Sequence, residues 1–301
     1  MKKMLFLTIL AVAVPAFADT FDDVIVYRGS NGGWYLAHNP GLPGLYPAPP
    51  ANATTYSSIT GYGLPTATPL VGDINGDGVD DVVVSQQAGP TGHGFFAAHS
   101  TIGGVGQAVL SKATTTSTVF AGSLLANRNT VYVTDVKGDG IDDAVEVLGT
   151  GAGGTGSLTF TAHHSTTSGL SSATTSSIGW GANNATWNDL PVMGDFDGNG
   201  CADVAVYRRN PASPYDWFIN KSTTAGLGTG GTLVNIDFGL ATDVPMVGDF
   251  NGNGRDDVVL VRTLGTGVFQ WILGFSASNG AVAGDGMAAF VTFGGTPWGD
   301  T

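Results

Sequence analysis

The chain is poor in the residues that carry most protein chemistry. It has one cysteine, Cys201, so no internal disulfide can form. Its 24 acidic residues include a single glutamate, Glu146, and it has only five histidines. Basic residues number 11, leaving a formal charge of −13. Nucleic acid and anionic membrane are poor partners for such a surface. The apolar run at residues 5–14 is shorter than the ~20 residues a membrane span needs, and no second run follows, so no integral span is expected. Scarce glutamate and histidine also remove the usual general acids and bases. Asp189, Asp216, Asp237, Asp243 and Asp285 show no spacing that pairs them, and no Ser-His-Asp order or nucleophile elbow occurs. An enzyme is therefore not the expected reading.

What is abundant is aspartate, and it is concentrated. Four near-copies of one loop begin at Asp73, Asp135, Asp195 and Asp249, separated by 62, 60 and 54 residues. Such even spacing marks a repeat architecture. The first copy places side-chain oxygens at Asp73, Asn75 and Asp77, a backbone carbonyl at Val79, and a carboxylate at Asp81. The third offers Asp195, Asp197, Asn199, the Cys201 carbonyl and Asp203; the fourth offers Asp249, Asn251, Asn253, the Arg255 carbonyl and Asp257. Oxygens at alternate positions of a tight loop suit a hard cation such as Ca²⁺, which takes six to eight of them. The second copy supplies Asp135, Asp139, the Ile141 carbonyl and Asp143, but Lys137 stands where the others carry Asn or Asp. Its ammonium is expected to replace the metal and leave this site weak or empty. An EF-hand is excluded, because Val84 occupies the position that needs glutamate and β-branched strand residues follow instead of a helix. The alternative is that the loops are only Asx-type turns capping strands.

Residues 1–18 read as a secretory signal, with Lys2 and Lys3, the short apolar run, and Ala16-Phe17-Ala18 as cleavage site. Its removal takes two lysines and no acid, changing the formal charge from −13 to −15. A secreted or periplasmic location is expected. The remaining residues 19–301 are rich in Gly, Thr, Ser and Ala with many short β-runs, which indicates an all-β chain.

Each repeat follows its loop with a β-run such as Val204-Ala205-Val206-Tyr207-Arg208. An aromatic strand comes next, such as Trp217-Phe218-Ile219, then a Thr/Ser/Gly-rich turn and, in four repeats, an aromatic-Gly pair such as Phe238-Gly239. The D-x-[DN]-x-[DN]-G-x-x-D loops with the V-x-V-Y-R and W-Y/F motifs resemble the FG-GAP/VCBS repeat family, whose calcium-loop repeats also build integrin α-subunit propellers. The resemblance covers the chain after the signal. It implies a β-propeller with Ca²⁺ in the loops and a role in adhesion or glycan binding. The units are placed at about 19–72, 73–134, 135–194, 195–248 and 249–301.

The terminal segments extend the pattern. Asp22-Asp23-Val24-Ile25-Val26-Tyr27-Arg28 matches the end of a loop and its strand, and Pro297-Trp298-Gly299-Asp300 matches the start of one. A fifth loop split between the ends is expected, with Asp19, Asp23 and Asp300 as ligands, closing a five-bladed ring near the termini. The alternative is closure by strand pairing without an ion.

Aligned aromatic strands give a column of Trp34, Phe95, Thr159, Trp217 and Trp271, read mostly as core. Four residues on stand His38, His99, His163, Lys221 and Phe275, best explained by duplication of a strand end; His93 and His164 fall outside this register. Arg28, Arg208 and Arg262 form a third column, expected to pair with loop carboxylates or carbonyls between units. Trp180, Trp187, Trp298 and Tyr46 lie in turn-rich segments and are the candidates for stacking on sugar rings. The expected function is a calcium-stabilised binding or adhesion module for a glycan or a cell-surface protein. A structural subunit of an envelope assembly is the alternative, and a polysaccharide-degrading enzyme a more remote one.

Overall fold

A computed structural model describes residues 24–37, 56–88, 92–102, 108–121, 130–149, 156–183, 189–209, 213, 216–231, 233–265, 268–276 and 289–294. Among these residues the chain is all-β, arranged as small antiparallel sheets in sequence order. The first sheet holds β1 (Val24–Arg28), β2 (Gly33–Ala37) and β3 (Tyr56–Ile59). The second holds β4 (Thr68–Gly72), β5 (Asp81–Ala88) and β6 (Gly92–Ala98). A short ribbon of β7 (Thr101–Ile102) and β8 (Ala108–Val109) follows, and β9 (Thr115–Ala121) completes the sheet. The third sheet is β10 (Thr130–Thr134), β11 (Asp143–Gly149), β12 (Gly156–His163) and β13 (Thr175–Asn183). The fourth is β14 (Leu190–Gly194), β15 (Asp203–Tyr207), β16 (Trp217–Asn220) and β17 (Leu233–Ile236). The fifth is β18 (Val244–Gly248), β19 (Asp257–Gly265), β20 (Val268–Gly274) and β21 (Ala289–Gly294). No helix among the described residues is long and apolar enough to cross a membrane.

Each acidic loop joins the first two strands of a sheet, and the closing register is the same four times: Gly72 opposite Asp81, Thr134 opposite Asp143, Gly194 opposite Asp203 and Gly248 opposite Asp257. The repeat boundaries drawn at the loops therefore divide each sheet between its first and second strands.

The strand that follows each acidic loop is buried on both faces over its first residues, which explains why it does not alternate between apolar and polar. Side chains alternate along a strand, so neighbouring residues enter different cores. Val82 and Val84 pack with Ile25, Trp34 and Leu36 of the first sheet, while Val83 packs with Phe95, Ala144 and Leu170 toward the third. Val204 and Val206 join Val145, Val147 and Phe160, whereas Ala205 and Tyr207 join Trp217, Val258 and Leu260. Every core is thus shared by two consecutive sheets stacked face to face.

The aromatic motifs form one interlocking device, seen twice. Tyr27 lies 4.8 Å from Trp34, and Tyr207 lies 5.0 Å from Trp217, between ring centroids. Both phenols and both indoles find backbone partners. Tyr27 Oη and Tyr207 Oη donate to the Leu64 and Leu240 carbonyls at 2.8 and 2.6 Å. Trp34 Nε1 and Trp217 Nε1 donate to the Tyr62 and Phe238 carbonyls at 3.1 and 2.9 Å. The glycine of the aromatic-Gly pair sits at φ 103° in Gly63 and 131° in Gly239, and a Cβ there would strike the Tyr27 or Tyr207 hydroxyl. The V-x-V-Y, W and aromatic-Gly motifs are therefore three parts of one packing unit.

Candidate metal centre and its surroundings

All four loops are held by the same bonds. The leading carboxylate accepts backbone N–H groups from the turn. Asp73 takes those of Gly76, Asp77 and Gly78 at 2.7, 3.1 and 2.8 Å, and Asp195 those of Gly198, Asn199 and Gly200 at 2.7, 3.1 and 2.8 Å. Asp135 and Asp249 do the same in their loops. The third-position side chain closes an Asx turn in every copy. Asp77, Asp139, Asn199 and Asn253 accept from Val79, Ile141, Cys201 and Arg255 N–H at 2.9, 3.1, 2.7 and 2.9 Å. Left-handed Gly76 and Gly78, at φ 71° and 82°, make this winding possible.

The closing aspartates Asp81, Asp143, Asp203 and Asp257 are fully buried. Each accepts a backbone N–H from a serine that starts the far side of the sheet: Ser100, Ser165, Ser222 and Ser276, at 2.6, 2.7, 2.7 and 2.8 Å. In the first two loops a histidine supports the same carboxylate, His99 Nδ1 at 2.8 Å from Asp81 and His164 Nδ1 at 2.9 Å from Asp143. This changes the sequence alignment. Ala144 pairs with His163 as Val82 pairs with Ala98, and Val147 pairs with Phe160 as Ser85 pairs with Phe95. The true columns contain His164 and Phe160, not His163 and Thr159. The signal that marks them is a two-residue one: His99-Ser100, His164-Ser165, Lys221-Ser222 and Phe275-Ser276.

Consecutive loops are clipped together. The N–H groups of Asp142, Ala202 and Asp256 donate to the carbonyls of Asp73, Asp135 and Asp195 at 2.8, 2.7 and 2.8 Å. The Asp142 and Asp256 carboxylates return the contact by accepting the Asp73 and Asp195 N–H at 2.9 and 2.8 Å. Asp142 and Asp256, each the first aspartate of an Asp-Asp pair, thus serve the neighbouring loop, a role spacing alone did not suggest. Burial, followed by neighbouring carboxylates, pushes Asp142 up to about 8 and Asp80 up to about 7. Cys201 also packs across this junction, near Gly138, and burial raises its thiol to about 11, well out of the reactive range.

The loops differ in what remains for a cation. In the third, the carboxylates of Asp195, Asp197 and Asp203 converge within 4.8 Å of one another, and no other such group of His, Cys, Asp or Glu occurs among the described residues. Asp197 Oδ1 is buried without a hydrogen-bond partner there, while its Oδ2 lies 3.2 Å from Lys221 Nζ. Burial raises Asp203 to about 7, offset in part by the Ser222 N–H. In the second loop Lys137 Nζ holds Asp139 Oδ2 at 2.7 Å. In the first, Asn75 Nδ2 lies 3.1 Å from His99 Nδ1. In the fourth, Asn251 Nδ2 turns to Asp257 at 3.1 Å, and Arg255 Nε reaches back to the Asp197 carbonyl at 3.2 Å.

The arginine column pairs outside the loops. Arg208 grips buried Asp189 through Nε and Nη2, both at 2.8 Å, and Arg262 grips buried Asp243 at 2.9 and 2.8 Å. The readable signal is an Asp-x-Pro whose aspartate precedes the arginine by 19 residues in both sheets. Trp180 lies on β13, half-buried, and its indole donates to the Phe218 carbonyl at 3.0 Å. Asp19, Asp23, Asp300, Tyr46, Trp187, Trp298 and His38 lie outside the described residues.

A second polar cluster joins the second and third sheets. Ser85 Oγ lies 2.6 Å from His93 Nε2, and His93 Nδ1 lies 3.3 Å from Glu146 Oε1. His163 Nδ1 meets Thr118 Oγ1 at 2.5 Å and its ring stacks on Phe120 at 3.8 Å. Ser85, His93 and Glu146 are at most 3% exposed, so this Ser-His-Glu order is closed to any substrate. It explains where the sole glutamate went, and it gives His93 a structural place that the sequence reading denied it. No family model matches the chain, and no curated protein matches it.

Proposed function

We propose that the chain is a calcium-stabilised β-propeller of five units that acts as a secreted or periplasmic binding module for a glycan or cell-surface protein. The observation that carries the cation reading is the third loop. Three carboxylates converge there, and Asp197 Oδ1 is buried with no hydrogen-bond partner among the described residues. A divalent cation held by Asp195, Asp197 and Asp203, with Asn199 and the Cys201 carbonyl, would offset this crowding of negative charge. The ion would stiffen the loop rather than take part in chemistry. The Lys137–Asp139 pair supports a weaker second site.

Ring closure is supported by the stacking of sheets in sequence order and by the outer edge of the fifth sheet. There Val244, Met246 and Phe250 are 52%, 40% and 46% exposed, on a strand and loop whose counterparts in the preceding sheet pack against the next unit. An apolar edge of this kind is one that the first sheet would cover on closure of the ring.

Thermal unfolding of residues 19–301, first in EDTA and then with graded Ca²⁺, tests the reading. A calcium-dependent rise in Tm together with bound metal is expected. Unchanged melting with no metal found would reduce the loops to Asx turns and remove the main support for an adhesion module.

A further inference from the structure

A cavity of about 280 Å³ opens where the first acidic loop meets the third sheet. It is at the small end of ligand pockets, which run roughly 300–1,000 Å³. Every lining residue but Ala113 has a polar side chain, and six of them carry hydroxyls. Asn75 and Asp77 come from the loop, Ser100 from the strand end behind it, and Thr167 and Ser168 from the neighbouring sheet. The site therefore exists only because two sheets meet.

The next two sheets carry a lysine at the matching place. Lys137 binds Asp139 at 2.7 Å in one, and Lys221 approaches Asp197 at 3.2 Å in the other. In the first loop these positions are Asn75 and His99. His99 is already committed, through Nδ1 to Asp81 and through Nε2 to Thr116 at 2.9 Å. Asp77 is left without a basic partner among the described residues. Ser100 lines the cavity and is 1% exposed; its hydroxyl has no partner among the described residues, as is also true of its counterpart Ser165 in the third sheet.

We propose that this cavity binds one neutral polyhydroxylated ring, such as a terminal monosaccharide, an inference that rests on the glycan-binding reading above and gives it a location. A carboxylate accepts from adjacent hydroxyls, while the Asn75 amide and the serine and threonine hydroxyls both donate and accept. An anionic ligand meets Asp77 and a net charge of −13. This site differs from the tryptophan and tyrosine candidates named from sequence, because it has no aromatic platform.

The test is saturation-transfer NMR and calorimetry of the full mature chain in Ca²⁺ buffer with a panel of neutral and N-acetylated hexoses, repeated on two variants. Ala113→Trp fills the cavity from an exposed position, and Asn75→Lys imports the arrangement of Lys137. The wild type is expected to bind at least one hexose with Kd on the order of 1 mM, and both variants to bind it at least about tenfold more weakly, with the melting of Ala113→Trp unchanged. Hexose binding retained in both variants would overturn the site and leave glycan binding standing. Binding of immobilised oligosaccharides without binding of any hexose would do the same. Failure to bind either would overturn the site and the glycan reading together.

Discussion

The second and third loops share a backbone and differ in charge at three positions, Lys137 against Asp197, Asp139 against Asn199 and Asp142 against Ala202. Both wind through left-handed glycines, both use the leading aspartate to gather N–H groups, and both bury the closing aspartate against a serine N–H. Yet the second holds an ammonium of its own, Lys137, on Asp139, while the third brings three carboxylates together, receives only the Lys221 ammonium from outside the loop, and leaves an Asp197 oxygen without a partner among the described residues. The fold of the loop does not depend on which of these occurs. Its shape is set by side chain-to-backbone bonds, and its capacity for a cation is set by what is left over.

The closing aspartates offer the hardest test of that equivalence. Asp143→Ala strands the Ser165 N–H and the His164 Nδ1; Asp203→Ala strands the Ser222 N–H and leaves the Phe196 N–H only the Gly194 carbonyl. Each buried orphan costs about 1–3 kcal/mol, so denaturant midpoints in EDTA should fall by similar, large amounts in both variants. A near-neutral Asp143→Ala would show that the two loops are held differently. Next in size is Lys137→Asn, which restores the residue type of the other copies. Equilibrium dialysis should find one more bound Ca²⁺ than in the wild type, and at about 100 Kd the added stability should approach about 2.7 kcal/mol. An unchanged ion count would mean that charge at that position is not what separates the loops.

The smallest effect concerns pH and separates loop from core in the third sheet. His163 touches Thr118, Phe120 and the field of Glu146 and His164, and burial holds its pKa below the usual 6.5. The folded state keeps this imidazole neutral, while the unfolded chain takes up a proton below about pH 6.5. Its contribution is complete above that pH and is lost as pH falls. His163→Phe, which preserves the stack on Phe120, should flatten the stability profile between about pH 6.5 and 5; an unaltered slope would place the acid sensitivity elsewhere.

Much of this was readable before any coordinates. Aspartate spacing located all four loops, and unbroken Val runs located the strands behind them, because a strand buried on both faces cannot alternate. The misalignment of His163 for His164 and Thr159 for Phe160 has a single source. Asp81 precedes Ser100 by 19 residues, but Asp143 precedes Ser165 by 22, so the third sheet has a longer turn that shifts any count made along the chain. The clips made by Asp142 and Asp256 and the grips of Arg208 and Arg262 were hidden for another reason. The clips join positions 69 and 61 residues apart in different sheets and the grips positions 19 apart across a hairpin, and only sheet stacking and strand pairing bring those together.

The second strands also shape how the chain tolerates change. Val82 and Val83 are adjacent in sequence yet belong to different cores. A single step along such a strand moves a mutation's damage from one neighbour to the other, and no sheet in the middle of the series has a core of its own. Cutting the chain between repeats therefore exposes two half-cores rather than releasing an intact piece. Growth by duplication has the opposite property: a new copy arrives with both faces already matched to the copies on either side.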